Sequence, residues 1–357
     1  MDHLISLLSP IPPSDRWWSE ETTAVVTGAN KGIGFEVVKK LLKLGLTVVL
    51  TARNAENGSI ASDSLRRAGF QNVHFFCLDV SDPSSTSAFV SWFRLNFGIL
   101  DILVNNAAVS FNAVGENSIR EPETIIKTNY YGAKLLTEAL LPLFRLSVSV
   151  GRILNISSRL GALNKLRNPS LRQTLESEKL TYEQIDATVT QFLEDVSRGT
   201  YEKNGWPENW SDYAVSKMAL NAYSRVLARR YDGKKLSVNC FCPGFTRTSM
   251  TGGQGTHTAE EAAATIAMLV LLPPEKLTSG KFFMCVEPNK IISSHILNYP
   301  PKGVQRPNGR DVKSVVAKTR TRVAGSTAVP PLLPNYERLV EPHLFVMDPT
   351  KNEFSSF

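Results

Sequence analysis

Three glycines, Gly28, Gly32 and Gly34, give the clearest chemical signal in this sequence of 357 residues. They stand between an apolar run, Thr23–Val26, and a segment whose apolar residues recur at helical spacing. A strand that turns sharply into a helix beside a phosphate needs residues without a Cβ, and the helix N-terminus then points its amides at the anion. The pattern predicts a dinucleotide-binding turn, although the spacing G-x-x-x-G-x-G also suits an ordinary loop.

Two cations near this turn indicate which dinucleotide it would bind. Dinucleotide folds specific for the unphosphorylated cofactor place an acidic residue about twenty positions beyond the glycines. Here Arg53 follows the next apolar run and no acid is present, while Lys31 lies within the turn itself. Because a guanidinium binds a phosphate well, we predict a preference for NADPH; the alternative is a surface arginine after a strand.

Polar or small residues end the later apolar runs as well. The Asp79 carboxylate and the Val80 amide would meet an adenine edge. Residues 105–108 form either a floor under a flat cofactor or a plain strand end. Ser157-Ser158 ends the next run, and the hydroxyls of residues 243–248 would meet the amide end of the cofactor.

Further candidates lie in predicted helices. Asn129 is a poor helix former within the predicted helix 122–143, where it either bonds the backbone or holds a functional water. Tyr213 and Lys217 are four residues apart in the predicted helix 211–230 and therefore share one face.

The elements that must position these residues alternate between strand and helix. This order predicts an α/β fold with a doubly wound parallel sheet of about seven strands, a Rossmann fold, with ligand bound at the carboxyl ends of the strands. The candidate residues are therefore expected at one edge of the sheet. The first predicted strand starts at Thr23 and runs into the glycine turn, and the others are 46–50, 73–78, 100–104, 152–156, 237–242 and 281–286.

The domain organisation follows from the limits of this alternation. We expect residues 1–20 to form an N-terminal extension, 21–289 the nucleotide-binding domain, and 290–357 a disordered, proline-rich basic tail. Residues 159–212 exceed what a crossover requires and contain a capping box at 181–184 before an amphipathic stretch, which predicts a helical insertion acting as a lid or pocket wall. Trp206 and Trp210 would either line the pocket or pack against other residues of the protein.

Composition excludes several classes of function. The hydrophobic fraction of 42% and charged fraction of 20% are typical of a soluble protein, and no run of about 18 apolar residues predicts a membrane span. The N-terminus lacks the basic start of a secretory signal, so we expect a cytoplasmic protein. The four cysteines are expected in the core, the five histidines form no metal-binding pattern, and the charge of +7, much of it in the tail, is not taken as nucleic-acid binding.

Together the motifs resemble the short-chain dehydrogenase/reductase family over roughly residues 22–288. Ala108 departs from the pattern, since the family often has glycine there. The insertion, with G-W-P at 205–207, is similar to that of the branch containing carbonyl reductases, menthol dehydrogenases and salutaridine reductases, which implies a monomer. The motifs are T-G-A-N-K-G-I-G at 27–34, N-N-A-A at 105–108, N-I-S-S at 155–158, Y-A-V-S-K at 213–217 and P-G-F-T-R-T at 243–248.

The resemblance implies a catalytic tetrad of Asn129, Ser158, Tyr213 and Lys217. A ketone that accepts a hydride gains negative charge on oxygen, so Tyr213 would supply a proton and Ser158 a hydrogen bond, both in contact with substrate. Lys217 would lower the pKa of Tyr213 and hold the nicotinamide ribose. Asn129 would keep a water that connects Lys217 to solvent.

The resemblance and the motifs also imply the residues that contact NADPH. These expected contacts are Thr27, Gly28, Asn30, Lys31, Gly32, Ile33, Gly34, Arg53, Asp79, Val80, Asn105, Ala107, Tyr213, Lys217, Pro243, Gly244, Thr246 and Thr248.

The sequence thus predicts an NADPH-dependent oxidoreductase that interconverts a small hydrophobic ketone, such as a monoterpenoid or alkaloid ketone, and its alcohol. One alternative is reduction of a conjugated C=C bond. Members of the branch that catalyse this reaction replace the active tyrosine, whereas this sequence has Tyr213 at that position. The other is an NADP-binding protein without turnover, which would not need the tyrosine and lysine arrangement.

Overall fold

The computed structural model describes residues 3–6, 16–145, 151–276, 278–287 and 290–295. All of them belong to the first of two units, Met1–Pro307. The second unit, Asn308–Phe357, lies outside the described residues, and so does most of the predicted tail 290–357.

The described strands form one sheet in the order β1-β9-β8-β7-β6-β5-β2-β3-β4. The seven strands from β2 to β8 run parallel, which confirms the predicted doubly wound sheet. The strands are β1 (His3–Ser6), β2 (Thr23–Val26), β3 (Thr47–Ala52), β4 (Val73–Cys77), β5 (Ile102–Asn105), β6 (Gly151–Ile156), β7 (Leu236–Cys242), β8 (Lys281–Glu287) and β9 (Lys290–His295).

Helices cover both faces of the sheet because buried residues alternate along the strands: Val25 packs on one side, Ala24 and Val26 on the other. Helices α1, α2 and α9 lie on one face, and α3, α5, α7 and α8 on the opposite one. The helices are α1 (Gly32–Lys43), α2 (Ala55–Arg67), α3 (Pro83–Asn96), α4 (Pro122–Ile126), α5 (Ala133–Leu140), α6 (Pro169–Glu176), α7 (Tyr182–Ser197), α8 (Ser211–Arg230) and α9 (Ala259–Leu271).

The sheet continues past residues 21 and 289, where the sequence predicted the domain to begin and end. Strand β9 pairs antiparallel with β8, and β1 pairs antiparallel with β9, with His3 opposite Ser293. These pairings cover the backbone edge that β8 would otherwise leave open. Near the N-terminus, the Trp17 and Trp18 indoles donate to the carbonyls of Leu271 and Leu44 at 3.2 and 3.1 Å.

The predicted insertion is helical and well packed. The Thr181 side chain caps α7 through the expected capping box. Trp206 is fully buried, and its indole nitrogen donates to Asp195 Oδ2 at 2.8 Å, so this tryptophan packs in the core. Asp195 Oδ1 also accepts from the Asn204 amide at 2.8 Å, which ties the end of α7 to the segment that leads back to the sheet.

The cysteines differ in part from expectation. Cys240, Cys242 and Cys285 are buried, as predicted, but Cys77 at the end of β4 is exposed. No group of metal-binding side chains occurs in the described ranges. None of the helices seen in those ranges is long and apolar enough to cross a membrane.

Candidate active site

The glycine turn after β2 is locked to the loop after β5. A Cβ on Gly28 would lie 2.8 Å from Ala107 Cα, and one on Gly34 would lie 2.5 Å from the Asn106 amide nitrogen, so neither position has room for a side chain. Thr27 Oγ1 accepts from the backbone amides of Asn106 and Ala107 at 3.0 and 2.9 Å. Thr27 therefore holds the turn through its hydroxyl, and Asn106, which the sequence analysis did not single out, helps to hold it.

The cations predicted to select NADPH lie at the ends of the first two parallel strands. Lys31 directly precedes α1, Arg53 directly follows β3, and both are exposed. Neither forms an ion pair with another residue of the described chain. Both charges are therefore available to a phosphate, which fits a dinucleotide that carries a 2′-phosphate.

The remaining cofactor candidates lie at the same edge of the sheet. Asp79 follows β4, and its Oδ1 accepts from the Ser81 amide and hydroxyl at 2.9 and 2.6 Å. Val80 beside it is buried, whereas Asn30 and Ile33 are half-buried in the glycine turn.

The loop after β7 faces the glycine turn. The Thr248 side chain lies 3.6 Å from where a Cβ on Gly32 would stand. The Thr246 hydroxyl donates to the Pro243 carbonyl at 3.2 Å, so it stabilises the loop. Gly244 has φ +79° and contacts the His257 ring, which leaves no space for a Cβ.

The Asn105 side chain is buried and bonds to the elements that surround the end of β5. Its side-chain amide donates to Thr137 Oγ1 at 2.9 Å and to Asn155 Oδ1 at 2.8 Å, and Asn155 in turn donates to the Ser224 hydroxyl at 2.7 Å. Asn105 is only 4% exposed. This buried polar chain joins β5, β6, α5 and α8 beneath the site.

Helix α8 begins at Ser211, as predicted, and carries Tyr213 and Lys217. Tyr213 is half-buried, whereas Lys217 is only 2% exposed. Lys217 Nζ donates to the carbonyl of Ile156, the last residue of β6, at 2.8 Å and lies 5.6 Å from the centre of the Tyr213 ring. The ammonium therefore fixes the helix against the end of the strand.

The two serines after β6 have different environments. Ser157 is 3% exposed, and its hydroxyl donates to Asn221 Oδ1 at 2.6 Å. Ser158 is half-buried, and its Oγ accepts from the Leu160 amide at 3.1 Å, a bond that uses an oxygen lone pair and not the hydroxyl proton. The geometry thus favours Ser158, the predicted serine, as the one able to donate to a substrate.

The turn that follows Ser158 is seated directly on α8. A Cβ on Gly161 would lie 2.5 Å from the carbonyl carbon of Lys217. The Asn221 amide donates to the Gly161 carbonyl at 3.2 Å, while its oxygen binds Ser157. Asn221, which the sequence analysis missed, stands one helical turn after Lys217, and that spacing was the available signal.

Asn129 lies in a π-helical turn, Lys127–Gly132, between α4 and α5. Such turns occur frequently at functional sites. Its Oδ1 accepts from the Val109 amide at 2.8 Å, and its Nδ2 donates to the Val109 carbonyl at 3.0 Å and to Ser216 Oγ at 3.1 Å. The side chain thus bonds the backbone, one of the two predicted alternatives, and joins the loop after β5 to α8; a bound water stays a prediction.

Burial dominates the acid–base behaviour of the pair on α8. It lowers the pKa of Lys217 from 10.5 to about 8. Burial, and next the Cys242 thiol, raise the pKa of Tyr213 above its ordinary value. The predicted lowering of the Tyr213 pKa by Lys217 is therefore wrong for this structure, and the phenol keeps its proton at neutral pH, as a proton donor must.

Comparison with known proteins agrees with this geometry. The profile of the short chain dehydrogenase family matches residues 22–169, and that of the enoyl-(acyl carrier protein) reductase family matches residues 199–299. The (+)-neomenthol dehydrogenase of Arabidopsis thaliana is 39% identical over 290 residues, which cover 74% of this chain and 97% of that protein. The chain belongs to the short-chain dehydrogenase/reductase family.

Two further relatives lie in the same branch. The mouse protein named carbonyl reductase [NADPH] 1 is 37% identical over 265 residues, covering 72% of this chain and 93% of that one. The structure of salutaridine reductase from Papaver somniferum has a TM-score of 0.68 and 38% identity, covering 73% of this chain and 99% of that chain. The branch resemblance seen in the motifs is thereby confirmed.

The buried ammonium of Lys217 should lower the free energy of unfolding, and a substitution can measure by how much. Because the pKa of Lys217 is lowered to about 8, the unfolded chain binds one proton more than the folded chain between about pH 8 and 10.5. We expect Lys217→Met to raise the free energy of unfolding at pH 7 by about 1–3 kcal/mol relative to the wild type. This advantage should disappear as the pH rises from 8 to 10.5, as urea titrations at each pH would show.

The matched control is Lys234→Met, since Lys234 is exposed in the short connection between α8 and β7. Its effect should stay within about 0.5 kcal/mol at every pH. Equal pH dependence of the two variants would show that Lys217 is not a destabilising buried charge.

Proposed function

We propose that this short-chain dehydrogenase/reductase is an NADPH-dependent enzyme that interconverts a small hydrophobic ketone and its alcohol. The observation that carries the proposal is the seating of the Ser158 turn on α8 at Lys217, one helical turn from Tyr213 and at the edge of the sheet that bears the glycine turn. The elements that carry three groups suited to carbonyl reduction, those of Ser158, Tyr213 and Lys217, thereby meet at this edge.

Each side chain has a distinct task in this mechanism. NADPH, when bound, supplies the hydride. The substrate oxygen then gains negative charge, which the Ser158 hydroxyl stabilises with a hydrogen bond. Tyr213 donates its proton to that oxygen, and its raised pKa keeps the proton in place until the oxygen becomes basic. Lys217 and Asn129 hold the helix and the neighbouring loop in position.

The substrate is proposed to be a monoterpenoid, an alkaloid or a similar ketone. Two related proteins are named for salutaridine and for neomenthol. Two large apolar side chains in the loops after β5 and β7, Phe111 and Phe245, are 41% and 39% exposed. Exposed aromatic rings beside polar groups suit a ligand that is mostly hydrocarbon with one carbonyl.

Loss of the phenol hydroxyl should separate binding from catalysis. We expect Tyr213→Phe to lower kcat for ketone reduction by roughly 10²–10⁴-fold, because the proton donor is gone. The Kd for NADPH, measured by fluorescence titration, should change less than about threefold. Turnover is followed by NADPH absorbance with a panel of cyclic ketones, and in reverse with NADP⁺ and terpene alcohols.

The control is Tyr231→Phe, the same substitution immediately after α8. It should leave kcat unchanged. Undiminished ketone reduction by Tyr213→Phe would overturn the proposed chemistry. If wild-type enzyme reduced only conjugated C=C bonds, the ene-reductase alternative would replace the proposal; NADPH binding without any turnover would favour a non-catalytic role.

The two exposed cations should set the cofactor preference. We expect Arg53→Ala to raise the KM for NADPH by about 10- to 100-fold, since hydrogen bonds to a charged group are worth about 1.5–3 kcal/mol. The KM for NADH should remain unchanged because that cofactor lacks the 2′-phosphate. Lys31→Ala should act in the same direction.

Arg66→Ala is the control for this experiment, since Arg66 is a similarly exposed arginine on α2 that pairs with Asp63. A parallel loss of NADH affinity in Arg53→Ala would indicate a role other than phosphate binding.

We propose that the enzyme is a monomer in the cytoplasm. Helix α7 packs its buried residues Ile185, Val189 and Phe192 in the core beside α8, so it covers a helix surface that a partner could otherwise use. The cysteines of the described chain form no disulfide, which suits a reducing compartment. Light scattering should give the mass of one chain at micromolar concentration, and a dimer mass would contradict this; a fluorescent fusion tests the location.

A further inference from the structure

Trp210, directly before α8, has an unusual backbone. Its φ and ψ are both 50°, the left-handed helical region. Across residues 16–145, 151–276 and 278–287 it is the one residue other than glycine with a positive φ. A bulky side chain is strained there, and such strain persists only where surrounding contacts hold it. The contacts of Trp210 therefore indicate what the strain maintains.

Three hydrogen bonds join the Trp210 region to the loop between β5 and α4. The Trp210 backbone amide donates to Asn117 Oδ1 at 2.7 Å, and its indole Nε1 donates to the Glu116 carbonyl at 2.8 Å. The Asn117 amide donates to the Glu208 carbonyl at 2.5 Å. We call these four residues, Glu116, Asn117, Glu208 and Trp210, the Trp210 strap.

The strap holds a loop that starts at the site. The loop leaves the sheet at Asn105, and Asn129 bonds both backbone groups of Val109 within it. It then exposes Phe111 before it reaches the strap at Glu116 and Asn117. Asn129 thus fixes the near end of the loop, and Trp210 fixes the far end against the start of α8.

The Trp210 ring also contacts the proton donor. It meets the Tyr213 ring edge to face, with ring centres 5.9 Å apart and an angle of 86°. The Trp210 carbonyl accepts the Ala214 amide at 2.7 Å, so the strained residue begins the helical turn that carries Tyr213. One residue therefore contacts both the loop and the phenol.

We propose that Trp210 is a positioning residue for ketone reduction: through Asn117 and Glu116 it holds residues 106–121 as a wall for substrate, and its ring keeps Tyr213 packed and shielded from water. This inference rests on the proposed function, since it assigns the wall and the shield to that same site.

The first test distinguishes an effect of the Trp210 strap on ketone binding from a general loss of stability. We expect Trp210→Phe and Asn117→Ala each to raise the KM for ketone roughly three- to tenfold with kcat changed less than about twofold, because one or two hydrogen bonds to the loop are lost while the ring contact with Tyr213 remains. Hydrogen exchange of amides in residues 110–120 should become faster in both variants.

Trp17→Phe is the matched control. The Trp17 indole likewise donates to a backbone carbonyl, that of Leu271, at 3.2 Å. This variant should leave the KM and the exchange of residues 110–120 at wild-type values. Wild-type KM and exchange in both strap variants, or an equal effect of Trp17→Phe, would overturn the strap.

The second test asks whether the Trp210 ring shields Tyr213 from water. Trp210→Gly removes the ring and relieves the backbone strain, because glycine adopts a positive φ readily. Burial raises the pKa of Tyr213, so admitting water should lower it, and the ionisation of the phenol, followed as the tyrosinate absorbance that Tyr213→Phe lacks, should begin at a lower pH. The titratable groups near Tyr213, Asp212 and Lys217 on α8 and Cys242 on β7, are unchanged in this variant. A Tyr213 titration identical to that of Trp210→Phe would overturn the shield.

Failure of the proposed function is distinguishable from failure of this inference. If wild-type protein reduces no ketone, the function fails, yet hydrogen exchange still tests the strap in Trp210→Phe and Asn117→Ala. If wild-type protein reduces ketones and the variants match it in KM, exchange and Tyr213 titration, the function stands and the positioning role of Trp210 is rejected.

Discussion

The hydrogen bond from Lys217 Nζ to the Ile156 carbonyl is the contact on which the geometry of the site depends. An ammonium that is 2% exposed has lost most of its hydration, and a single buried carbonyl compensates only part of that loss. The uncompensated remainder lowers the pKa of Lys217 to about 8. The strand end and the helix must therefore stay in register, since any separation would leave a buried charge without its partner.

This register determines which residues can surround the lysine. Gly161 is required where the turn after β6 crosses the Lys217 backbone, because a Cβ would lie 2.5 Å from it. Asn221 then bonds both ends of that turn, the Ser157 hydroxyl and the Gly161 carbonyl. With Ser157 committed to Asn221, only Ser158 keeps a partly accessible hydroxyl. The different roles of two adjacent serines thus follow from how the turn packs on α8.

Features with a local cause could be predicted from the sequence, whereas those created by burial or by distant pairing could not. The glycine turn and the capping box at Thr181 each depend on residues that lie within a few positions of each other. The pairing of β1 with β9 joins residues almost 290 positions apart, and short runs such as His3–Ser6 carry no signal for it. The rise in the Tyr213 pKa depends on desolvation in the folded core, while the sequence displayed only the nearby lysine.

The long insertion, residues 159–212, lies between the two residues proposed to contact the substrate, and tertiary contacts hold it in place. Ser158 directly precedes the insertion and Tyr213 directly follows it, so its two ends adjoin two residues of the proposed site. Within the insertion, Asp195 on α7 accepts hydrogen bonds from the Trp206 indole and the Asn204 amide, so it holds the end of α7 to the segment that follows. The first turn of the insertion is held on α8 beneath Gly161, and its last residues are held by Asn117. Both ends are thus held by contacts with α8 and with the loop between β5 and α4, in addition to the packing of α6 and α7 in the core. The positions of Ser158 and Tyr213 therefore depend on tertiary contacts at each end of the insertion.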